Sequence, residues 1–77
     1  MGERVTIQLE VYLPFRGKSM WRGEESVPAG TTVSTLLAEL GIGEPELTVL
    51  VGGRYAPADR VLESGNKVTV LRQIEGG

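Results

Sequence analysis

The chain predicts an α+β fold in which one main helix packs across a mixed sheet of four or five strands. Three observations carry that expectation. Residues 5–13 alternate strictly between apolar and polar types. Val33, Leu36, Leu37 and Leu40 recur at helical spacing between a capping threonine and a glycine. Two further apolar runs, 47–51 and 67–71, are bounded by glycine turns. A sheet with one apolar face and a helix with one apolar stripe can each bury the other.

Each element follows from its residues. Val5, Ile7, Leu9, Val11 and Leu13 point one way and Thr6, Gln8, Glu10 and Tyr12 the other, the period of a half-buried strand. Pro14 ends this strand, and Gly17 lies in a connection that turns the chain back as a hairpin. The returning strand covers about 19–27. Trp21 and Val27 are in phase for one face, Glu25 between them is not an inward residue type, and Gly23 is read as a bulge that resets the register. Thr32 is a good helix N-cap, and Gly41 falls where a left-handed residue closes the helix. After the strand 47–51, Gly52-Gly53 supplies the positive φ angles of a tight turn. Arg54 to Ala56 return as a short strand that Pro57 keeps at a sheet edge. Residues 58–64 read as a helical turn or loop with Val61 and Leu62 tucked against the core, and Gly65-Asn66 as a second turn. In the last strand Val68 and Val70 face inward, and Leu71, out of phase with them, is expected on the outer face. The element order is β-β-α-β-β-β.

Composition narrows the function. The 77 residues make one domain, residues 1–72, followed by a short tail, 73–77, whose polar and glycine residues suit a flexible tether. A net charge of −2 argues against direct nucleic-acid binding, which calls for a basic excess. No apolar run nears the ~20 residues that span a bilayer, and no signal-peptide pattern is present, so the cytoplasm is the expected location. Cysteine and histidine are both absent, which removes the thiolate nucleophile, the usual general base and the commonest metal ligand together. No catalytic residue and no metal site is expected. Asp59 with Glu63, and Glu44 with Glu46, are acidic pairs without a neighbouring base, and read as solvated surface charge. Arg16, Lys18 and Arg22 around Trp21 could form a partner or phosphate patch, but a core tryptophan with solvated neighbours is the favoured reading. Gly52-Gly53 is followed by no Gly-Lys-Ser/Thr and is a turn, not a phosphate loop.

The chain ends in Gly76-Gly77. Without Cβ atoms, two such residues can extend fully and enter a narrow enzyme channel, and the acyl carbon of Gly77 is open to a nucleophile once its carboxylate is activated. The bland reading is a solvated end.

The stretches Pro28-Ala29-Gly30-Thr31-Thr32-Val33, Leu36-Leu37-Ala38-Glu39-Leu40-Gly41, Val49-Leu50-Val51-Gly52-Gly53-Arg54, Asp59-Arg60-Val61-Leu62-Glu63-Ser64-Gly65 and Val68-Thr69-Val70-Leu71, in that order before the diglycine, carry a resemblance. From Val5 to Gly77 the chain resembles the ThiS/MoaD sulfur carriers, the thiamine-biosynthesis carrier and the small subunit of molybdopterin synthase, which have the β-grasp fold of ubiquitin-like proteins. It departs from them at Phe15 to Arg22, which matches no subfamily pattern, and at Arg72-Gln73-Ile74-Glu75, which is more polar than the usual ending. The resemblance implies a carrier, not an enzyme, with no bound cofactor. An adenylyltransferase of the ubiquitin-activating type would consume ATP to activate Gly77, and a persulfide donor would convert it to a thiocarboxylate. An acceptor such as thiazole synthase or the large subunit of molybdopterin synthase would take the sulfur, or tRNA thiolation would receive it. Gly76 would let the tail thread, and Leu71, Arg72 and Ile74 would be partner contacts. The fold it implies places the first and last strands as parallel neighbours at the sheet centre. The alternative is a ubiquitin-like interaction module or protein modifier whose diglycine is never thiocarboxylated.

Overall fold

The computed structural model describes residues 2–42 and 47–72. In chain order they form β1 (Arg4–Tyr12), β2 (Trp21–Pro28), α1 (Val33–Leu40), β3 (Leu47–Val51), β4 (Arg54–Tyr55) and β5 (Lys67–Arg72). The strands make one sheet in the order β2-β1-β5-β3-β4. β1 and β5 run parallel at its centre, and the other neighbours are antiparallel. The expected order of elements and the central parallel pair are both present.

Alternation in the strands decides which side chains meet. Val11, Val70 and Val49 lie in one row across three strands, and Leu9, Val68 and Val51 in the next. All six are buried, and they join Ile7, Leu13, Val27, Leu62 and, from the helix, Val33 and Leu36 in a single core. Leu37 and Leu40 pack at its margin. Truncating a fully buried residue such as Leu9 to Ala removes this contact and leaves a cavity, at a cost of about 2–5 kcal/mol.

The helix boundaries are set as the sequence indicates. The Thr32 hydroxyl accepts from the Thr35 N–H at 3.3 Å, satisfying one of the donors that a helix start leaves unpaired. At the other end Gly41 adopts φ 75°, its N–H donates to the Ala38 carbonyl at 3.1 Å, and the Ile42 N–H reaches back to the Leu37 carbonyl at 3.0 Å. This paired arrangement needs a left-handed residue at position 41 and seats the buried Ile42 under the last turn.

Three expectations are corrected. Gly23 marks no bulge: the β1–β2 ladder runs unbroken from Arg4 opposite Pro28 to Val11 opposite Trp21, with Gly23 opposite Leu9. The glycine is there for space, because a Cβ would stand 2.7 Å from Cη2 of the Trp21 ring, which lies over it. The extra residue sits nearer the hairpin end, where residues 12–14 of one arm oppose 19–20 of the other before the Phe15–Lys18 bridge. Glu25 does share the inner face, since it pairs with Ile7, and it is half-buried against Arg16 at 2.7 Å. Val61 is 47% exposed, whereas its neighbour Leu62 is 1% exposed and donates its N–H to the Thr31 carbonyl. The segment 57–66 is a loop that contributes one core residue, not a helical turn.

The space under Trp21 gives a test. Gly23→Ala must displace the ring, with an expected loss of about 1–2 kcal/mol in urea unfolding and a change in the fluorescence of this sole tryptophan. In a Trp21→Ala background the same substitution should be neutral or stabilising, because a strand glycine then has nothing to accommodate. Equal losses in both backgrounds would contradict the packing assigned to Trp21.

Candidate functional site

The site begins with the last strand. β5 is held on both sides, by β1 and β3, and ends at Arg72, so the chain leaves the sheet from its centre. Because β5 alternates, Val68 and Val70 point into the core while Lys67, Thr69 and Leu71 point to the face without the helix. Leu71 lies on that outer face, as its phase predicted, but is half-buried there and not exposed. Its register partners are Tyr12 on β1 and Thr48 on β3, and the next row carries Glu10, Thr69, Leu50 and Tyr55. Tyr12 is 43% exposed and Tyr55 73%. The outcome is a shallow apolar strip of two tyrosines and two leucines, crossed by threonines, next to the exit of the chain.

Arg72 extends β5 one residue past the expected apolar run 67–71, paired with Leu47 as the last rung of the β3–β5 ladder. Ile74, Gly76 and Gly77 lie outside the described residues, as does the acidic pair Glu44 and Glu46. Asp59 and Glu63 are exposed loop residues. The Glu63 N–H donates to the Asn66 side-chain Oδ1 at 2.7 Å, which shapes the Gly65-Asn66 turn.

A polar hub on the same face was not legible in the sequence. The Glu10 carboxylate, 13% exposed, takes Arg22 Nε at 3.2 Å and Lys67 Nζ at 3.7 Å. The Tyr12 hydroxyl donates to it at 3.2 Å and the Thr69 hydroxyl at 3.5 Å. Three strands supply these groups, so no local motif announces them. The available signal was weaker: Glu10 and Tyr12 share the outer face of the strand with Thr6 and Gln8. With both oxygens engaged, Glu10 fixes the orientation of Tyr12 and Lys67 and is already partnered.

Arg16 is exposed, as expected for a neighbour of Trp21, and it is also stacked, its guanidinium lying 4.8 Å from the Phe15 ring and 4.6 Å from the Trp21 ring while it pairs with Glu25. Trp21 is half-buried at the margin of the core. Gly52 and Gly53 form the β3–β4 turn with φ 61° and 82°. Among the described residues no group of three metal-ligating side chains occurs, and no helix is long and apolar enough to cross a membrane.

Comparison with known proteins places this geometry. The backbone matches a protein assigned as molybdopterin converting factor subunit 1 from Pyrococcus furiosus, with TM-score 0.70 and 24% identity over 91% of this chain and 99% of that one. It matches SAMP1 from Haloferax volcanii with TM-score 0.65 and 18% identity, covering 94% and 99% of the two chains. A ubiquitin from Caldiarchaeum subterraneum matches with TM-score 0.61 and 17% identity over 97% and 100%. At these identities the likeness shows the fold, which is the ubiquitin-like β-grasp. Among curated proteins no match is found. Residues 9–74 match the family described as Small archaeal modifier protein 2. With most of its length so matched, this ubiquitin-like chain belongs to the small archaeal modifier protein 2 family.

Proposed function

We propose that this chain is a carrier whose C-terminal carboxylate, on Gly77, is activated by an adenylyltransferase of the ubiquitin-activating type and then loaded with sulfur. The family match over residues 9–74 supports the reading, since it runs to within three residues of Gly77. The chemistry explains why a partner must act. A carboxylate is a poor electrophile, and a chain with no cysteine or histidine has few means of activating its own. A Gly77 carboxylate oxygen attacks the α-phosphorus of ATP and pyrophosphate leaves, giving an acyl adenylate. The terminal sulfur of a persulfide on a second protein attacks the acyl carbon, and AMP leaves. A thiol then cleaves the resulting acyl disulfide, reducing it to the thiocarboxylate and leaving a disulfide behind. The acceptor takes that sulfur in cofactor synthesis, of molybdopterin, tungstopterin or the thiamine thiazole, or in tRNA thiolation.

The residues divide the work. Gly77 supplies the reacting carbonyl and Gly76 the narrow thread. The strip around Leu71, with Arg72 and Ile74 beyond it, meets the activating enzyme, so the sheet positions the departing chain over that enzyme's channel. The word modifier in the family's description favours a second fate for the same adenylate, attack by an amine and formation of an amide. Both fates share the first step and diverge at the nucleophile.

Incubation with ATP, the activating enzyme and a persulfide donor should replace one oxygen by sulfur in the C-terminal peptide, read by mass spectrometry. An amide to a second protein in place of sulfur would select the modifier fate. Deleting Gly77 should abolish either product while leaving the urea midpoint unchanged, because the core ends at Val70. Leu71→Asp should keep the fold and lower the rate of loading by about tenfold or more, the effect of losing one apolar contact at a docking face. Full loading of the chain lacking Gly77 would overturn the assignment.

A further inference from the structure

The connection between β1 and β2 is more than a link. Parallel pairing brings Tyr12 level with Leu71, so the chain leaving β1 and the chain leaving β5 depart from the same end of the sheet. The hairpin of residues 13–20 therefore stands beside the root of the C-terminal tail. It is built for rigidity. Arg16 and Gly17 both take positive φ, 51° and 75°, in a two-residue turn closed by Phe15–Lys18 backbone bonds of 2.8 and 3.0 Å. Phe15 and Trp21 meet edge to face at 5.8 Å, and Arg16 locks them to Glu25.

Packing at the end of the core accounts for Phe15, Trp21 and the Arg16–Glu25 pair. It leaves Lys18 and Met20 without a structural task. Met20 is 41% exposed, and no carboxylate among the described residues lies within ion-pair distance of Lys18. Lys18 is one of the residues 14–19 that line an open surface hollow of about 450 Å³ on the hairpin, and Met20 follows directly in the chain. Of the three basic residues in the stretch 14–23, Arg16 and Arg22 are paired with Glu25 and Glu10, so the cation offered outward is Lys18. A methionine beside an unpaired cation suits an adaptable contact with an apolar, acidic surface.

We infer that the Arg16–Gly17 hairpin, through Lys18, Met20 and the hollow, is a second docking element for the activating enzyme, and that it grips a carboxylate and an apolar side chain at the rim of the channel that takes the tail. This rests on the carrier reading for the identity of the partner. Two contacts on one rigid sheet end, one along the Leu71 strip and one at the hairpin, fix the tail's direction where a single contact leaves it free to swing. The positive charge also makes the contact dependent on ionic strength.

The test uses the double variant Lys18→Glu, Met20→Ser, with Arg60→Glu at the opposite end of the sheet as a control of equal charge change. ATP–pyrophosphate exchange should show KM for the carrier raised about tenfold in the double variant, with kcat within about twofold of the parent. The control should match the parent, and the urea midpoint and tryptophan emission of all three should agree. Calorimetric binding of chains lacking Gly76 and Gly77 supplies the second readout: the truncated parent should bind the enzyme, and the truncated double variant about tenfold more weakly. Equal affinity of those two truncated chains overturns the hairpin assignment. Binding without any exchange by the full-length parent overturns the carrier reading and leaves the hairpin contact standing.

Discussion

The parallel pairing of β1 with β5 is the constraint on which the rest of this small domain depends. Parallel neighbours cannot be joined by a tight turn, so the chain between them must cross the sheet and return. Here the chain between them carries β2, α1, β3 and β4. It puts an apolar helix stripe over the strands that need covering, and Leu9, Val11, Val68 and Val70 are each fully buried beneath it. A chain of 77 residues has little core to spare, and its most protected side chains sit on these two strands. The same pairing decides what lies outside the core: Leu71 falls beside Tyr12, and the hairpin falls beside the exit of β5.

The outer face of the sheet, proposed as the docking surface, carries features that guard it against aggregation. Its apolar strip is interrupted by threonines and bordered by Glu10, whose oxygens are shared among Arg22, Lys67, Tyr12 and Thr69. Exposed ion pairs of this kind add little to stability. They orient side chains, and they break the apolar area into pieces that suit a specific partner better than a second copy of the same face. The sheet edges are guarded in a similar way: β4 has only two residues and is followed by Pro57, and β2 carries Arg22 and Glu24 on its exposed positions.

Much of this was legible in the sequence because it is periodic or local. Alternation in Val5 to Leu13, the Val33–Leu40 stripe, the Thr32 and Gly41 caps and the Gly52-Gly53 turn each follow from a rule that acts over a few residues. The misreadings arise where one residue type has two physical uses. A glycine in a strand either admits a bulge or makes room for a neighbour, and only the direction of the Trp21 ring shows that Gly23 does the second. Glu25 looks like an outward residue until Arg16, nine positions away, is seen to neutralise it on the inner face. Val61 and Leu62 are equally apolar, and backbone hydrogen bonding at Leu62 decides which is buried. The Glu10 hub draws on three strands and has no local signature. Of the predicted site, the outward phase of Leu71 and the end of the domain at Arg72 were readable, while Ile74, Gly76 and Gly77 lie outside the described residues.

A carrier of this design needs a stable sheet end, a surface to be recognised by and a carboxylate without neighbouring bulk. In the proposed function the Gly77 carboxylate becomes an acyl adenylate, the step common to sulfur loading and to protein modification. Trapping with hydroxylamine tests it most directly, because hydroxylamine attacks an acyl adenylate and leaves a hydroxamate on the acyl carbon. Mixed with the activating enzyme and ATP, the protein should yield a C-terminal peptide carrying that hydroxamate on Gly77, and none when ATP is omitted. An unmodified C-terminal peptide, from an enzyme that turns over ATP with another carrier of the same organism, would contradict the account.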